Sequence, residues 1–157
     1  MQSVRASKIL ALFATCILAA AANAQSKSCR PAAGMLMTNL GAVDAATTMG
    51  TATGDLRGAV GATILSTESS GDTLILHVQH HWVTESGDTL DWSPAAATTT
   101  QVAPGLYAIV SYPTHLKGGT GKFAGATGNF TAIGEADLAN GQIVLRYTGT
   151  LCFPSGN

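Results

Sequence analysis

Charged residues are scarce in this sequence, and neither sign of charge dominates. Of the 157 residues, 11% are charged, and the formal net charge is −1. Soluble domains usually carry about one quarter charged residues. Proteins that bind nucleic acid or anionic membranes usually carry an excess of positive charge, so the sequence argues against both classes of partner. Because 46% of the residues are hydrophobic, the chain is not of the disordered class, and its length fits one compact domain.

Long hydrophobic runs are missing after residue 24, and the run before it predicts a secretory signal peptide. Residues 1–8 carry two positive charges, residues 9–22 are small or apolar, and Ala22-Asn23-Ala24 supplies the small side chains that signal peptidase requires. As a helix, the apolar run of about 14 residues would span ~21 Å, which is short of a ~30 Å hydrocarbon core. The sequence therefore predicts cleavage after Ala24 and a soluble chain of 157 − 24 = 133 residues that is secreted or periplasmic.

Cysteine is also rare, with three residues in the chain. Cys16 lies within the predicted signal peptide, so Cys29 and Cys152 remain as one pair near the two ends of the exported chain. In an oxidising compartment this pair is predicted to form a disulfide. The alternative is two free thiols or a metal pair, but the nearby Cys or His residues of a zinc site are missing from the sequence. Closing this long loop would stabilise the fold by on the order of 5 kcal/mol in the chain-entropy model.

Helical periodicity is absent from the exported chain, and β-branched and aromatic residues alternate between clusters of glycine and small polar residues. This rhythm predicts seven or eight strands: residues 57–67, 73–84, 89–100, 106–116, 129–138 and 143–153, with one or two weaker strands within 34–53. Similar turns at residues 67–74 and 84–90, and Asn140-Gly141 farther on, predict hairpins between successive strands. A meander of this size generally closes, so the expected fold is all-β, a single antiparallel barrel of about eight strands.

The strand over residues 73–84 has one face that is more apolar than the other. This is the even-numbered face, which carries His80 and Trp82 and is expected to point into the barrel. A three-residue loop at Ser86-Gly87-Asp88 would set Trp82 across from Trp92, apolar against apolar, in the next strand.

A glycine-rich segment, Gly118–Gly128, lies between two of the predicted strands and reads GGTGKFAGATG. It resembles the glycine-rich signature of the allene oxide cyclase and dirigent-like barrel families. The segment is interpreted as a tight connection in which Gly118, Gly119 and Gly121 allow positive φ, Phe123 plugs one barrel end, and Gly125 and Gly128 let the chain reverse. A phosphate-binding loop would instead need a following helix and a Lys-Ser/Thr pair.

The resemblance implies that residues 25–157 form an eight-stranded barrel whose lumen holds a hydrophobic small molecule. In the catalytic members of such families, the lumen steers cyclisation or coupling of a substrate with no metal and no organic cofactor. Related barrels often pack into dimers or trimers, so a homo-oligomer is compatible with the resemblance. Outside this segment the sequence does not align with the acidic or proline catalytic positions of these families, so no catalytic residue is carried over and the catalytic residues stay unknown.

Six residues are candidates for contact with such a ligand, because they place aromatic, polar or charged groups within otherwise apolar strands: Trp82, Trp92, His80, Asp91, Tyr112 and Arg146. For the aromatic residues and His80, an ordinary packed core is the alternative. His77 and His81 lie ~13 Å apart along one strand, too far to share a metal ion, so no metal site is predicted there. Glu135 and Asp137 share a strand face and are interpreted as solubilising.

Two functions of different classes remain open. The first is a cofactor-independent cyclase or isomerase, which predicts an enclosed lumen with one or two buried polar residues. The second is a non-catalytic ligand carrier or a secreted surface-interaction protein, which predicts a lumen that is wholly apolar or filled by side chains.

Overall fold

The computed structural model describes residues 27–155. The predicted signal peptide and Cys16 lie outside these residues. The described chain consists of ten strands and two short 3-10 helices: β1 (Lys27–Leu40), β2 (Thr47–Ala52), a helix at Gly54–Leu56, β3 (Gly58–Ser70), β4 (Thr73–Thr84), β5 (Thr89–Trp92), β6 (Ala95–Ala103), β7 (Leu106–Ser111), β8 (Pro113–Gly119), a helix at Gly121–Phe123, β9 (Thr127–Asp137) and β10 (Gln142–Pro154). Neither helix in this part of the chain is long and apolar enough to cross a membrane.

The strands form a closed antiparallel barrel with eight strand positions. Strands β5 and β6 both pair with β4 and together occupy one position, and β7 and β8 both pair with β9 and occupy the next. The ring closes where β10 pairs with both β1 and β9. The predicted all-β barrel of about eight strands in meander order is therefore confirmed.

The two strands at the ends of the described chain lie side by side and are covalently linked. β1 pairs with β10 from Lys27↔Pro154 to Asn39↔Gln142. Cys29 lies directly opposite Cys152 in this ladder, and their sulfur atoms form a disulfide of 2.03 Å. The predicted disulfide is confirmed, and with it the expectation that the first and last strands lie together.

Two predicted strands are each interrupted next to a proline. The range 89–100 breaks at Ser93-Pro94, and the range 106–116 breaks at Tyr112, which precedes Pro113. Proline has no N–H to donate to a strand ladder, so it lies at strand starts and irregular positions. Both breaks leave the barrel order unchanged, and the one at Ser93-Pro94 moves the inward-facing positions from even to odd residue numbers.

The barrel has a closed end and a turn end. At the closed end, Leu56 and Phe123 from the two 3-10 helices are buried almost completely, at 1% exposure each. The indole Nε1 of Trp82 donates to the Leu56 carbonyl at 2.8 Å, and the Tyr147 hydroxyl accepts from the Leu56 N–H at 3.0 Å. The turn end carries the loops that follow β1, β3, β6 and β9. Phe123 therefore does plug one barrel end.

The glycines of the Gly118–Gly128 segment have roles that differ from the expectation. Positive φ occurs at Gly121 (52°) and Gly125 (70°), but not at Gly118, Gly119 or Gly128, which lie in strands. Gly119 is instead needed for close approach, because an added Cβ would clash with the Thr89 carbonyl oxygen. Three of the five glycines, Gly118, Gly119 and Gly128, therefore lie in paired strands, and the positive φ angles of the connection occur at the other two.

Candidate functional site

Aromatic side chains fill the part of the lumen nearer the closed end. Ring centroids lie 5.6 Å apart for Trp82 and Trp92, 5.5 Å for Trp92 and Phe130, and 6.2 Å for Phe130 and Tyr147. All four residues are buried. Offset and edge-to-face arrangements at these distances stabilise aromatic clusters beyond simple burial. This half of the lumen is therefore a packed core, as the alternative interpretation of the aromatic residues expected.

His80 and Tyr112 form a buried polar pair above this cluster. The Tyr112 hydroxyl and the His80 Nε2 atom lie 2.7 Å apart, and the ring centroids are separated by 5.6 Å. Burial, and to a smaller degree the neighbouring His81 charge, lowers the pKa of His80 to about 4, and burial raises the pKa of Tyr112. Both side chains are therefore uncharged at neutral pH.

Tyr112 reaches the lumen because of a β-bulge. Residues 107 and 109 of β7 face inward, so strict alternation would place Tyr112 outside. The register between β6 and β7 skips one residue, Thr98 pairing with Ser111 and Thr99 with Ile109, so Val110 is extra. Val110 and Ser111 are both exposed, and Tyr112 is buried. A bulge commonly re-aims a side chain in this way.

Two buried nitrogen atoms in the lumen have no protein hydrogen-bond partner within residues 27–155: His80 Nδ1 and Trp92 Nε1. The two rings are neighbours, with centroids 5.8 Å apart. Leaving a buried polar atom without a partner costs about 1–3 kcal/mol, so such atoms in a native lumen need an explanation. They mark the place where a ligand could bind through a polar group.

Two cavities meet at the His80–Tyr112 pair. The larger one, of about 60 Å³, lies toward the turn end and is bounded mainly by apolar side chains. Small residues leave this space free, above all Ala62, Ala97 and Ala136. The smaller one, of about 20 Å³, lies toward the closed end among the aromatic rings. Leu36, His80 and Tyr112 line both cavities, so a slender molecule could extend from one into the other.

The structure brings four of the six candidate ligand residues together and separates the other two. His80, Trp82, Trp92 and Tyr112 share the lumen. Asp91 and Arg146 are exposed on the outer face, because Leu90 and Trp92 flank Asp91, and Leu145 and Tyr147 flank Arg146, with all four flanking side chains turned inward. Asp91 lies 3.5 Å from Lys117. The prediction that these two charges anchor a ligand in the lumen is wrong.

The remaining titratable candidates also lie on the outer surface. His77 contacts Glu68 at 2.8 Å, and His81 contacts the Thr63 hydroxyl at 3.0 Å. Asp137 accepts hydrogen bonds from Asn140 in the turn before β10, and Glu135 is exposed. Within residues 27–155, no three His, Cys, Asp or Glu side chains are grouped so that they could hold a metal ion.

Sequence reasoning missed the residues that shape the site. Tyr147 fixes Leu56 through its hydroxyl, and the three alanines create the larger cavity. Alanine at inward positions, among larger residues in the same strands, is the only signal for that cavity in the sequence. Such a pattern becomes informative only when the facing strands are known.

No family model and no curated protein matches this sequence. Among solved structures, the chain is similar to a pterocarpan synthase dirigent protein, with a TM-score of 0.44 and 13% identity, over 83% of this chain and 88% of that chain. At this level, the similarity assigns neither a family nor an activity to the chain. The resemblance to allene oxide cyclases stays a prediction.

Proposed function

We propose that the barrel binds a small hydrophobic molecule in its lumen and holds it through one polar group near the His80–Tyr112 pair. The observation that carries the proposal is the unpartnered Nδ1 atom of His80, a buried imidazole at the wall of a mainly apolar cavity. A ligand that brings its own hydrogen-bonding group would remove the cost of about 1–3 kcal/mol that this atom otherwise imposes.

The size and lining of the larger cavity restrict the ligand. Sites for drug-sized molecules usually have volumes of roughly 300–1,000 Å³, whereas this cavity has about 60 Å³. Thr38, Ile64 and Ile143 at its turn end are only half-buried, so the cavity comes close to solvent there. A slender molecule could place its polar end inside and extend its apolar chain toward the turn end, where each buried methylene contributes about 0.8 kcal/mol.

A cofactor-independent cyclase or isomerase is the second candidate, because the buried polar pair supplies groups that could act on a bound substrate. The uncommitted nitrogen of the neutral His80 imidazole can polarise a substrate group through a hydrogen bond, and the Tyr112 hydroxyl holds the ring in place through its other nitrogen. A plain carrier would use this pair only to hold the polar group of the ligand. If the barrel is an enzyme, His80→Ala and Tyr112→Ala should abolish turnover; if it is a carrier, the unchanged protein should bind its ligand without converting it, and His80→Ala should weaken binding.

We also propose that the protein is exported and processed after Ala24. The Cys29–Cys152 disulfide is compatible with an oxidising compartment outside the cytoplasm. Mass spectrometry of the protein recovered from the periplasm of an expressing host should give a chain that begins at Gln25. A mass that includes residues 1–24 would contradict the processing.

Native mass spectrometry of the exported, oxidised protein tests the binding proposal, because it detects a co-purified ligand and the oligomeric state together. Ala97→Leu should fill the larger cavity and remove the ligand, since Ala97 is buried at its wall. The matched control is Ala96→Leu, one residue earlier on the outer face, which should retain it. Circular dichroism would verify that both variants fold. A ligand that persists in Ala97→Leu would place binding outside the lumen.

A further inference from the structure

The lumen contains a second unpartnered polar atom whose chemistry is more restrictive than that of histidine. The indole Nε1–H of Trp92 can donate a hydrogen bond but cannot accept one. Trp92 is 4% exposed, so solvent does not reach the group freely. The other tryptophan shows how the same lumen satisfies an indole, because Trp82 donates to the Leu56 carbonyl oxygen at 2.8 Å. A partner for Trp92 must likewise be an acceptor.

His80 presents a second donor toward the same region. The Tyr112 hydroxyl makes one hydrogen bond within residues 27–155, to His80 Nε2. If the phenol donates its proton to Nε2, both groups of that bond are satisfied and the single proton of the neutral imidazole is on Nδ1. In the opposite arrangement the phenol proton would itself be left without an acceptor. The first arrangement leaves fewer buried groups unsatisfied, and it makes His80 Nδ1 an N–H donor.

The two residues that carry these donors line the smaller cavity. His80 and Trp92 line this space of about 20 Å³, which is large enough for a group the size of one water molecule but not for a carbon skeleton. His80 also lines the larger apolar cavity. A single polar atom in the smaller cavity can therefore belong to a molecule whose apolar part lies in the larger one.

The charge of the lumen restricts the acceptor further. The candidate charges Asp91 and Arg146 lie on the outer face, and the buried residues of the described chain include no Lys, Arg, Asp or Glu. An ionised carboxylate or phosphate would be buried with no counter-charge, which is strongly unfavourable. A neutral acceptor avoids this cost.

We infer that the ligand carries a neutral carbonyl oxygen, as in a ketone, aldehyde or ester, which accepts hydrogen bonds from Trp92 Nε1 and His80 Nδ1 in the smaller cavity. This inference rests on the proposed function and specifies the ligand's polar group. It assigns Trp92 a role in ligand specificity that differs from the packing role of Trp82.

Three probes with the same six-carbon chain test the inference: 2-hexanone, 2-hexanol and hexane. The probes are titrated into the exported, oxidised protein, and binding is followed by NMR. The ketone should bind more tightly than the alcohol, because the hydroxyl proton of the alcohol would find no acceptor beside two donors. Trp92→Phe removes one donor and should weaken ketone binding about 3- to 10-fold while leaving hexane binding nearly unchanged. The infrared C=O stretch of bound 2-hexanone should be lower than in hexane solution and should move back toward that value in Trp92→Phe.

The matched control is Trp82→Phe, which removes an indole N–H that already has a protein acceptor and should preserve the preference for the ketone. Circular dichroism verifies folding of each variant. If the probes bind but the ketone has no advantage over the alcohol, or if Trp92→Phe weakens all three probes equally, the carbonyl inference is wrong while lumen binding stands. If none of the probes binds, the lumen is not a binding site for such molecules and both proposals fall.

Discussion

At the scale of single residues, His80 shows a conflict between burial and chemistry. The alternation of β4 points it into the barrel next to Trp82, where a leucine or valine would pack without any polar requirement. The only protein hydrogen bond of its side chain within the described residues is the one to Tyr112. The protein holds an uncharged imidazole in an apolar lumen, and this arrangement must weaken the fold whenever the imidazole gains a proton.

The first prediction is that stability falls as pH decreases from about 6.5 to about 4. Burial lowers the pKa of His80 from 6.5 to about 4, so the unfolded chain binds a proton in this range that the folded protein does not. The free energy of unfolding is therefore highest above pH 6.5. It falls by about 3 kcal/mol as the pH decreases toward 4. Urea unfolding at several pH values measures it, and His80→Gln should flatten the profile in this range. An equal slope in the variant would contradict the assignment to His80.

The second prediction concerns the Tyr147 hydroxyl, which holds the 3-10 helix at the closed end. It accepts from the Leu56 N–H at 3.0 Å and donates to the Thr53 carbonyl at 2.8 Å. Tyr147→Phe should cost about 1–3 kcal/mol in the free energy of unfolding, since both backbone groups lose their partner. Amide exchange at Leu56 should also accelerate. Tyr107→Phe serves as a control, and a similar loss there would show that the effect is not specific to the helix.

At the scale of strands, the alternating pattern was sufficient to predict most of the architecture, and irregular positions were not predictable. The strand over 73–84 matches its predicted bounds and its inward face. The pairing of β5 with β4 differs from the prediction by two residues, because Trp82 lies opposite Leu90 and not opposite Trp92. The loop is Glu85-Ser86-Gly87, one residue earlier than predicted, and Gly87 takes the positive φ of 83°. A shift of two keeps every side chain on its predicted face.

The bulge at Val110 is the irregularity that matters most for the site. No residue type in this stretch demands it, and a regular strand would have turned Tyr112 outward. The sequence therefore could nominate Tyr112 as a candidate but could not predict its contact with His80. The exposure of Asp91 and Arg146, by contrast, follows from simple alternation with their inward neighbours.

The third prediction tests the role of Gly119 within its strand. Gly119→Ala places a methyl group against the Thr89 carbonyl oxygen, which also accepts from Thr120 N–H at 3.0 Å. The backbone must shift, and we expect a loss of about 1–3 kcal/mol. Gly118→Ala is the matched control, because an added Cβ there meets no atom within 4 Å. Its effect should be neutral or a gain of up to about 1 kcal/mol. Equal losses at both positions, by urea unfolding, would refute the close-approach argument.

At the scale of the whole molecule, the barrel depends on the seam between β1 and β10. This ladder joins the two ends of the described chain, and the Cys29–Cys152 bond closes a loop with a sequence separation of 123. The fourth prediction is that Cys29→Ser with Cys152→Ser lowers the free energy of unfolding by about 2–5 kcal/mol. The reduced natural protein should unfold at the same urea concentration as the variant. An unchanged midpoint in both would show that the strand ladder alone secures the seam.

The lumen is also a property of the whole barrel, which limits how much of the site could be predicted. The inward face of β4 identified His80 and Trp82, since each strand reveals its own apolar face. The free volume depends on Ala62, Ala97 and Ala136, which come from three different strands and meet only after closure. The unpartnered state of Trp92 Nε1 depends on the same assembly.

The pairing of Trp82 and Trp92 has a spectroscopic consequence. They are the two tryptophans of the chain, and both lie in the lumen with ring centroids 5.6 Å apart. The intrinsic fluorescence of the protein therefore originates almost entirely from the interior of the barrel, and two indoles this close should couple excitonically. The protein carries its own optical reporter of the lumen, with which binding and release can be followed without any label.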